Sequence, residues 1–250
     1  MTPFQICPRR ATFPFLCAIV LAFFNGGGAQ AEPPPAGKIV GPHVLVDNKK
    51  IKMVRWILQP GEATPPQTNA LDHVEVVIRG ADIREVAGDG KTSEAVQETG
   101  RAVFIPAGPE TPSIVNIGNA PYEMIWTDLK PQAGSATPIP DPPLINPLTL
   151  AKLVTKKVVP AQPIVDNERI RMVRWIFQPG ECSPIHIHAL DHIYIVIHGS
   201  KIREITGEGK TNDDVQETGR AAFSPARGKI HSFANIGDAR PYEMVSFELK

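Results

Sequence analysis

Residues 47–119 align with residues 166–238 without a gap, at a constant offset of 119, and 41 of the 73 positions are identical. After one inserted residue, Arg240, the copies resume at Pro121 and Pro241 and both close on Leu-Lys. A chain built this way must fold the same unit twice. The unit is longer than any solenoid repeat, whose period runs to about 50 residues, so it is a duplicated domain. The copies are expected over residues 38–130 and 148–250. Between them, residues 131–147 hold six prolines in 17 positions, the composition of a stiff extended linker. Residues 148–157 read as a short helix or as an arm of the second copy.

The first 31 residues are expected to stand outside both copies. Arg9 and Arg10 precede an apolar run over residues 11–24, and Ala29-Gln30-Ala31 supplies a small-x-small cleavage signal. This is the layout of a secretory signal peptide cut after Ala31, and it places the mature protein in the periplasm or outside the cell. The run is short for a bilayer span, so no membrane is expected for the mature form, with an uncleaved anchor as the alternative. The paired arginines leave general and twin-arginine export both open. Cys7 and Cys17 leave with the signal, and Cys182 alone remains, so an intrachain disulfide is excluded. The formal net charge is zero, which gives no footprint for nucleic acid.

Within each copy, short β-branched and aromatic segments stop at Gly or Pro. Residues 172–177 end at Pro179-Gly180, residues 193–197 end at Gly199, and residues 221–223 and 242–249 fit strands too. Gly-x-Gly turns fall at Gly88/Gly90 and Gly207/Gly209. Short strands so punctuated indicate an all-β sandwich or barrel, and no segment has the period of a long amphipathic helix.

Five of the seven histidines lie in the second copy. His186 and His188 are two apart, so in a strand they project from one face. A later strand beginning near Asp191 can return His192 to that face, and another can bring His231. Several imidazoles gathered in an apolar interior suit a divalent transition metal such as Fe, Mn, Cu, Ni or Zn. The first copy has Gln67, Asn69 and Pro112 in place of His186, His188 and His231 and keeps only His73, opposite His192. The first copy is therefore expected to bind no metal tightly and to serve structure. His192 stays ambiguous between ligand and fold residue, because its counterpart survives where the other ligands are gone. Cys182 and Tyr194 replace Ala63 and Glu75. With Phe233 they are candidates for the pocket wall, or else packing. His43 and His198 read as rim or solvent residues. Arg174 and Arg203 recur as Arg55 and Arg84, which points to structural ion pairs.

The spacing of these residues resembles the cupin family. Its first motif runs from Gly180 through His186, His188 and His192 to Gly199, with His192 where the family usually has Glu. Its second motif runs from Gly219 through Pro225, Gly228 and His231 to Asn235, with one extra residue before Gly228. The resemblance covers both copies and implies a bicupin, two tandem cupin-type jelly-roll β-barrels, with one divalent metal in the second. It also implies dioxygenase-type chemistry on a small organic substrate. A non-catalytic protein that binds metal or a small ligand is the alternative, and a metal-free storage-like bicupin is a third. Four neutral imidazoles would leave the ion its full +2 charge and favour an anionic ligand. Four ligands would close a tetrahedral zinc site, whereas an octahedral ion would keep two positions. Monomer and homodimer are both compatible with the sequence.

Overall fold

The run Ile51–Leu58 buries five of its eight residues, four of them completely or nearly so, because both faces of the strand it forms meet apolar neighbours. Its copy Ile170–Phe177 behaves alike. The computed structural model describes residues 37–108, 111–131, 157–226 and 230–250. The expected signal segment, nearly all of the linker and the segment 148–156 lie outside the described residues.

Nineteen strands and no helix occur among the described residues. The first copy supplies β1 (Lys38–Ile39), β2 (His43–Asp47), β3 (Ile51–Leu58), β4 (Glu62–Ala63) and β5 (His73–Arg79). It continues with β6 (Ala81–Val86), β7 (Thr92–Gln97), β8 (Ala102–Ile105), β9 (Ser113–Asn116) and β10 (Tyr122–Leu129). The second copy supplies β11 (Gln162–Asp166), β12 (Ile170–Phe177), β13 (His186–Ile187), β14 (His192–His198) and β15 (Ser200–Thr206). It ends with β16 (Thr211–Gln216), β17 (Ala221–Ser224), β18 (Ile230–Asn235) and β19 (Tyr242–Leu249).

Each copy forms two sheets. The first has the orders β2-β3-β10-β5-β8 and β1-β4-β9-β6-β7. The second repeats them as β11-β12-β19-β14-β17 and β13-β18-β15-β16. The protein is thus all-β, with two jelly-roll halves.

The pleat divides the β2-β3-β10-β5-β8 sheet and its copy β11-β12-β19-β14-β17, the large sheets, into two working faces. One face fills its own barrel, with Val54, Trp56, Leu58, Val77 and Met124 in the first and Trp175, Phe177, Val196 and Met244 in the second. The opposite faces pack the two barrels together in one apolar layer. Ile51, Met53, Val74, Val76 and Ile125 meet Ile170, Met172, Ile193, Ile195, Val245 and Phe247 there. The near-continuous apolar strands follow from this arrangement, since neither face of β5 or β14 is wet.

Polar contacts at the edge of that layer are reciprocal. The Arg55 guanidinium donates to the Gly219 carbonyl, and Arg174 donates to the Gly100 carbonyl. Lys50 pairs with Asp191 at 2.6 Å and Arg169 with Asp72 at 3.0 Å. Because these partners are equivalent in the duplication, the barrels meet through a pseudo-twofold interface. Arg84 and Arg203 pair with Glu94 and Asp213, both at 2.6 Å. Arg55, Arg174, Arg84 and Arg203 therefore all sit in ion pairs or interface contacts.

Candidate metal centre

The site begins with a strand of two residues. β13 pairs antiparallel with β18, and His186 lies directly opposite His231. Residues opposite one another in such a pair project from the same face. His188, two residues on, returns to that face. The ligand-capable nitrogens of His186, His188 and His231 lie within 4.8 Å of one another. Their ring centroids are 4.7 Å (His186–His231), 4.9 Å (His186–His188) and 5.2 Å (His188–His231) apart.

Each of the three rings is held through Nδ1. The partner of His186 is the Pro184 carbonyl at 2.9 Å. For His188 it is the Glu248 carboxylate at 3.3 Å, and for His231 the Glu204 carboxylate at 2.9 Å. Carbonyls and carboxylates only accept, so the proton belongs on Nδ1 and the lone pair on Nε2. An acceptor behind Nδ1 also fixes the ring plane and makes Nε2 more basic, the arrangement that metal-ligating histidines use. Three imidazoles oriented in this way fit a borderline divalent ion. Burial holds His186 down to about 4, with the neighbouring His231 and His188 pushing the same way against the Pro184 hydrogen bond. The ring is therefore neutral, as a ligand must be, throughout the ordinary pH range.

His192 sits differently. Its ring stacks on His188 with centroids 3.6 Å apart and planes inclined by 16°. The lone pairs of an imidazole lie in the ring plane. Planes this close to parallel meet far beyond the about 2.1 Å of a metal–nitrogen bond, so these two rings do not aim at one ion in this arrangement. His192 Nδ1 is buried with no hydrogen-bond partner among the described residues. Burial, followed by the other three histidines, pushes its pKa down to about 3.

A cavity of about 290 Å³ adjoins the triad. Tyr194 and Phe233 line it, together with His192, Trp175, Arg220 and Ser246. Cys182 does not join them. It is 1% exposed, and its backbone bonds Lys157 and Val159 between β18 and the entering chain. His198 and His43 are exposed, as rim residues should be.

The same region of the first barrel is filled. Trp126 occupies the position of Ser246 and stacks on His73 at 3.7 Å with planes 6° apart. His73 Nδ1 bonds the Asn69 side chain at 2.9 Å, where the second barrel has His188. Both histidines at this position thus stack on a flat neighbour. In the first barrel that neighbour is the indole that closes the interior.

Sequence reasoning missed Glu204, Glu248, Ser246 and Arg220. Glu204 and Arg220 recur as Glu85 and Arg101, so a search for differences between the copies passed over them. Ser246 and Glu248 lie past the inserted Arg240, where an offset of 120 would have matched them to Trp126 and Asp128.

No protein-family model matches the chain, and no curated protein matches it. Solved structures do. A cupin 2 conserved barrel domain protein from Leptotrichia buccalis is similar at a TM-score of 0.50 and 12% identity, over 84% of this chain and 88% of that one. AerE from Microcystis aeruginosa is similar at 0.53 and 10%, over 84% and 97%. A variant of oxalate decarboxylase from Bacillus subtilis is similar at 0.52 and 13%, over 81% and 69%. Mn(II) centres are named for that decarboxylase. The chain has the cupin fold. It has it twice, as a bicupin, with the histidine triad in the C-terminal half.

Proposed function

We propose that the C-terminal barrel holds one divalent transition metal on Nε2 of His186, His188 and His231, and that the ion serves a small organic molecule in the adjoining cavity. The observation that carries this reading is the set of three Nδ1 hydrogen bonds to Pro184, Glu248 and Glu204. Such a set spends the proton-bearing nitrogen of each ring and presents the other. Three neutral ligands leave the ion its full +2 charge and fewer filled positions than a closed site has.

The reaction class we favour is metal-dependent oxygenation of a small substrate with its own oxygen donors. The metal would supply Lewis acidity and a place for the substrate's oxygens. The chain supplies the rest: His188 and His231 held by carboxylates, and a half-enclosed space walled by Trp175, Phe233, Tyr194 and Tyr242. The layout of residues 1–31 supports an exported protein.

One observation favours a second reading, a protein that binds metal or ligand without turnover. The acidic side chains on the cavity wall, Glu204 and Asp214, are both engaged, by His231 and by Arg220. Proton relaxation of solvent water over the Mn(II)-loaded protein separates the two. Strong enhancement means that water exchanges at open positions, as an enzyme requires. No enhancement beyond that of a closed, water-free ion would sink the oxygenase reading.

A further inference from the structure

The cavity beside the triad has a second polar pole. Arg220 stands there with Tyr194, Asn212, Asp214 and Gln216. Its counterpart Arg101 in the first barrel pairs at 3.2 Å with Glu75, which is only 6% exposed. That pair ties a partly exposed arginine to a carboxylate inside the first barrel.

Two substitutions rearrange this pair in the second barrel. Tyr194 replaces Glu75, so the interior carboxylate is gone. Asp214 replaces Ala95, and a carboxylate appears on β16 of the other sheet. Arg220 now bonds Asp214, with Tyr194 beside it on the cavity wall. The Asp214 side chain is 42% exposed where that of Glu75 is 8%, so the carboxylate partner has moved to the rim, while Arg220 and Arg101 are exposed alike at 41% and 37%. A guanidinium carries five N–H donors in a planar fork, and one carboxylate contact does not saturate it.

We propose that Arg220 seats the carboxylate of a small organic acid whose other oxygen group reaches the metal on the triad. This rests on the metal reading above and names the substrate class for it. The cavity wall also includes Trp175, Phe233, Tyr242 and Met244, so the body of the ligand is apolar. Charge supports the same class. Without metal the wall sets Glu204 and Asp214 against one arginine, which disfavours an anion. A divalent ion reverses that balance, so anion binding depends on metal.

The test uses the full chain loaded with Mn(II) and titrated calorimetrically with malonate, succinate, glutarate and adipate. The straight-chain monocarboxylate of the same carbon number is the control for each. At least one dicarboxylate is expected to bind at least tenfold more tightly than its control. That preference is expected to vanish in Arg220→Gln, and also in Tyr194→Glu, which restores the residue of the first barrel. Mn(II) affinity should stay within about twofold in both variants. Equal binding of dicarboxylates and monocarboxylates, or an unchanged preference in a folded variant, overturns the proposal and leaves the metal reading intact. Dicarboxylate binding that persists without Mn(II) overturns the metal dependence. Failure of the unaltered chain to bind Mn(II) or any other divalent ion overturns both readings.

Discussion

Ser246 stands in the second barrel where Trp126 stands in the first, and the difference between a hydroxymethyl group and an indole is the difference between a cavity and a filled core. Ser246→Trp is therefore expected to close the space beside the triad. Ligand binding should be lost while the fold and its β-sheet spectrum persist, because the first barrel already accommodates the indole. Retained ligand affinity in that variant would show that the cavity is not the binding site.

The converse change tests packing. Trp126 is 5% exposed and stacks on His73. Trp126→Ser removes the ring and leaves a void that the rigid sheets close only in part. The expected cost is about 3–5 kcal/mol by denaturant titration. A loss below about 1 kcal/mol would mean that the first barrel collapses around the gap.

Glu204 fixes the His231 ring through Nδ1. Glu204→Gln keeps the shape and removes the charge, and metal affinity should fall roughly 10- to 100-fold. Its counterpart Glu85 bonds Ser93 on the first barrel's surface, so Glu85→Gln should leave metal affinity unchanged. Equal effects from the two substitutions would show that Glu204 acts through the fold and not through the ligand.

The metal-free protein should lose stability in acid. His186 is held near 4 and His192 near 3, mainly by burial, whereas histidine in an unfolded chain titrates near 6.5. Between about pH 6.5 and pH 4 the unfolded chain therefore binds more protons than the native one. Stability falls as pH falls through that window. The fall in urea midpoint between pH 7 and pH 5 should be shallower in His186→Gln, which carries the residue of the first barrel. A variant with the same slope as the parent would mean that His186 does not contribute.

Because the outer faces of both large sheets share one apolar layer, the barrels should unfold together. Phe247 is 1% exposed in that layer. Phe247→Ala should cost about 3–5 kcal/mol and shift a single transition. Two resolved transitions in the calorimeter, only one of them shifted, would show that the barrels are energetically independent.

The duplication, the punctuated apolar segments and the His186/His188/His231 spacing were legible in the sequence because each depends on local periodicity or on an internal copy. The hairpins β6–β7 and β15–β16 were not. Thr211–Gln216 is mostly exposed and polar, so it lacks the alternation that marks a half-buried strand. The acceptors behind the triad were hidden for another reason. Glu204 and Glu248 reach His231 and His188 from β15 and β19, and only strand register brings them there. Thr206 lies opposite His231, which places Glu204 two residues along on the same face. His192 shows the limit of spacing as a guide. Its position gave the correct face of β14, but its orientation against His188 is a matter of rotamer and packing.

The metal centre stands or falls on the triad. The most direct measurement is metal content per chain after saturation with Mn(II) and removal of unbound ion, in the parent protein and in the variant carrying both His186→Gln and His188→Asn. Those two substitutions copy Gln67 and Asn69 of the first barrel, so the fold has already accepted the residues at the equivalent positions. One ion per parent chain and none in the folded variant is the expected result. Equal metal content in the two proteins would contradict the site.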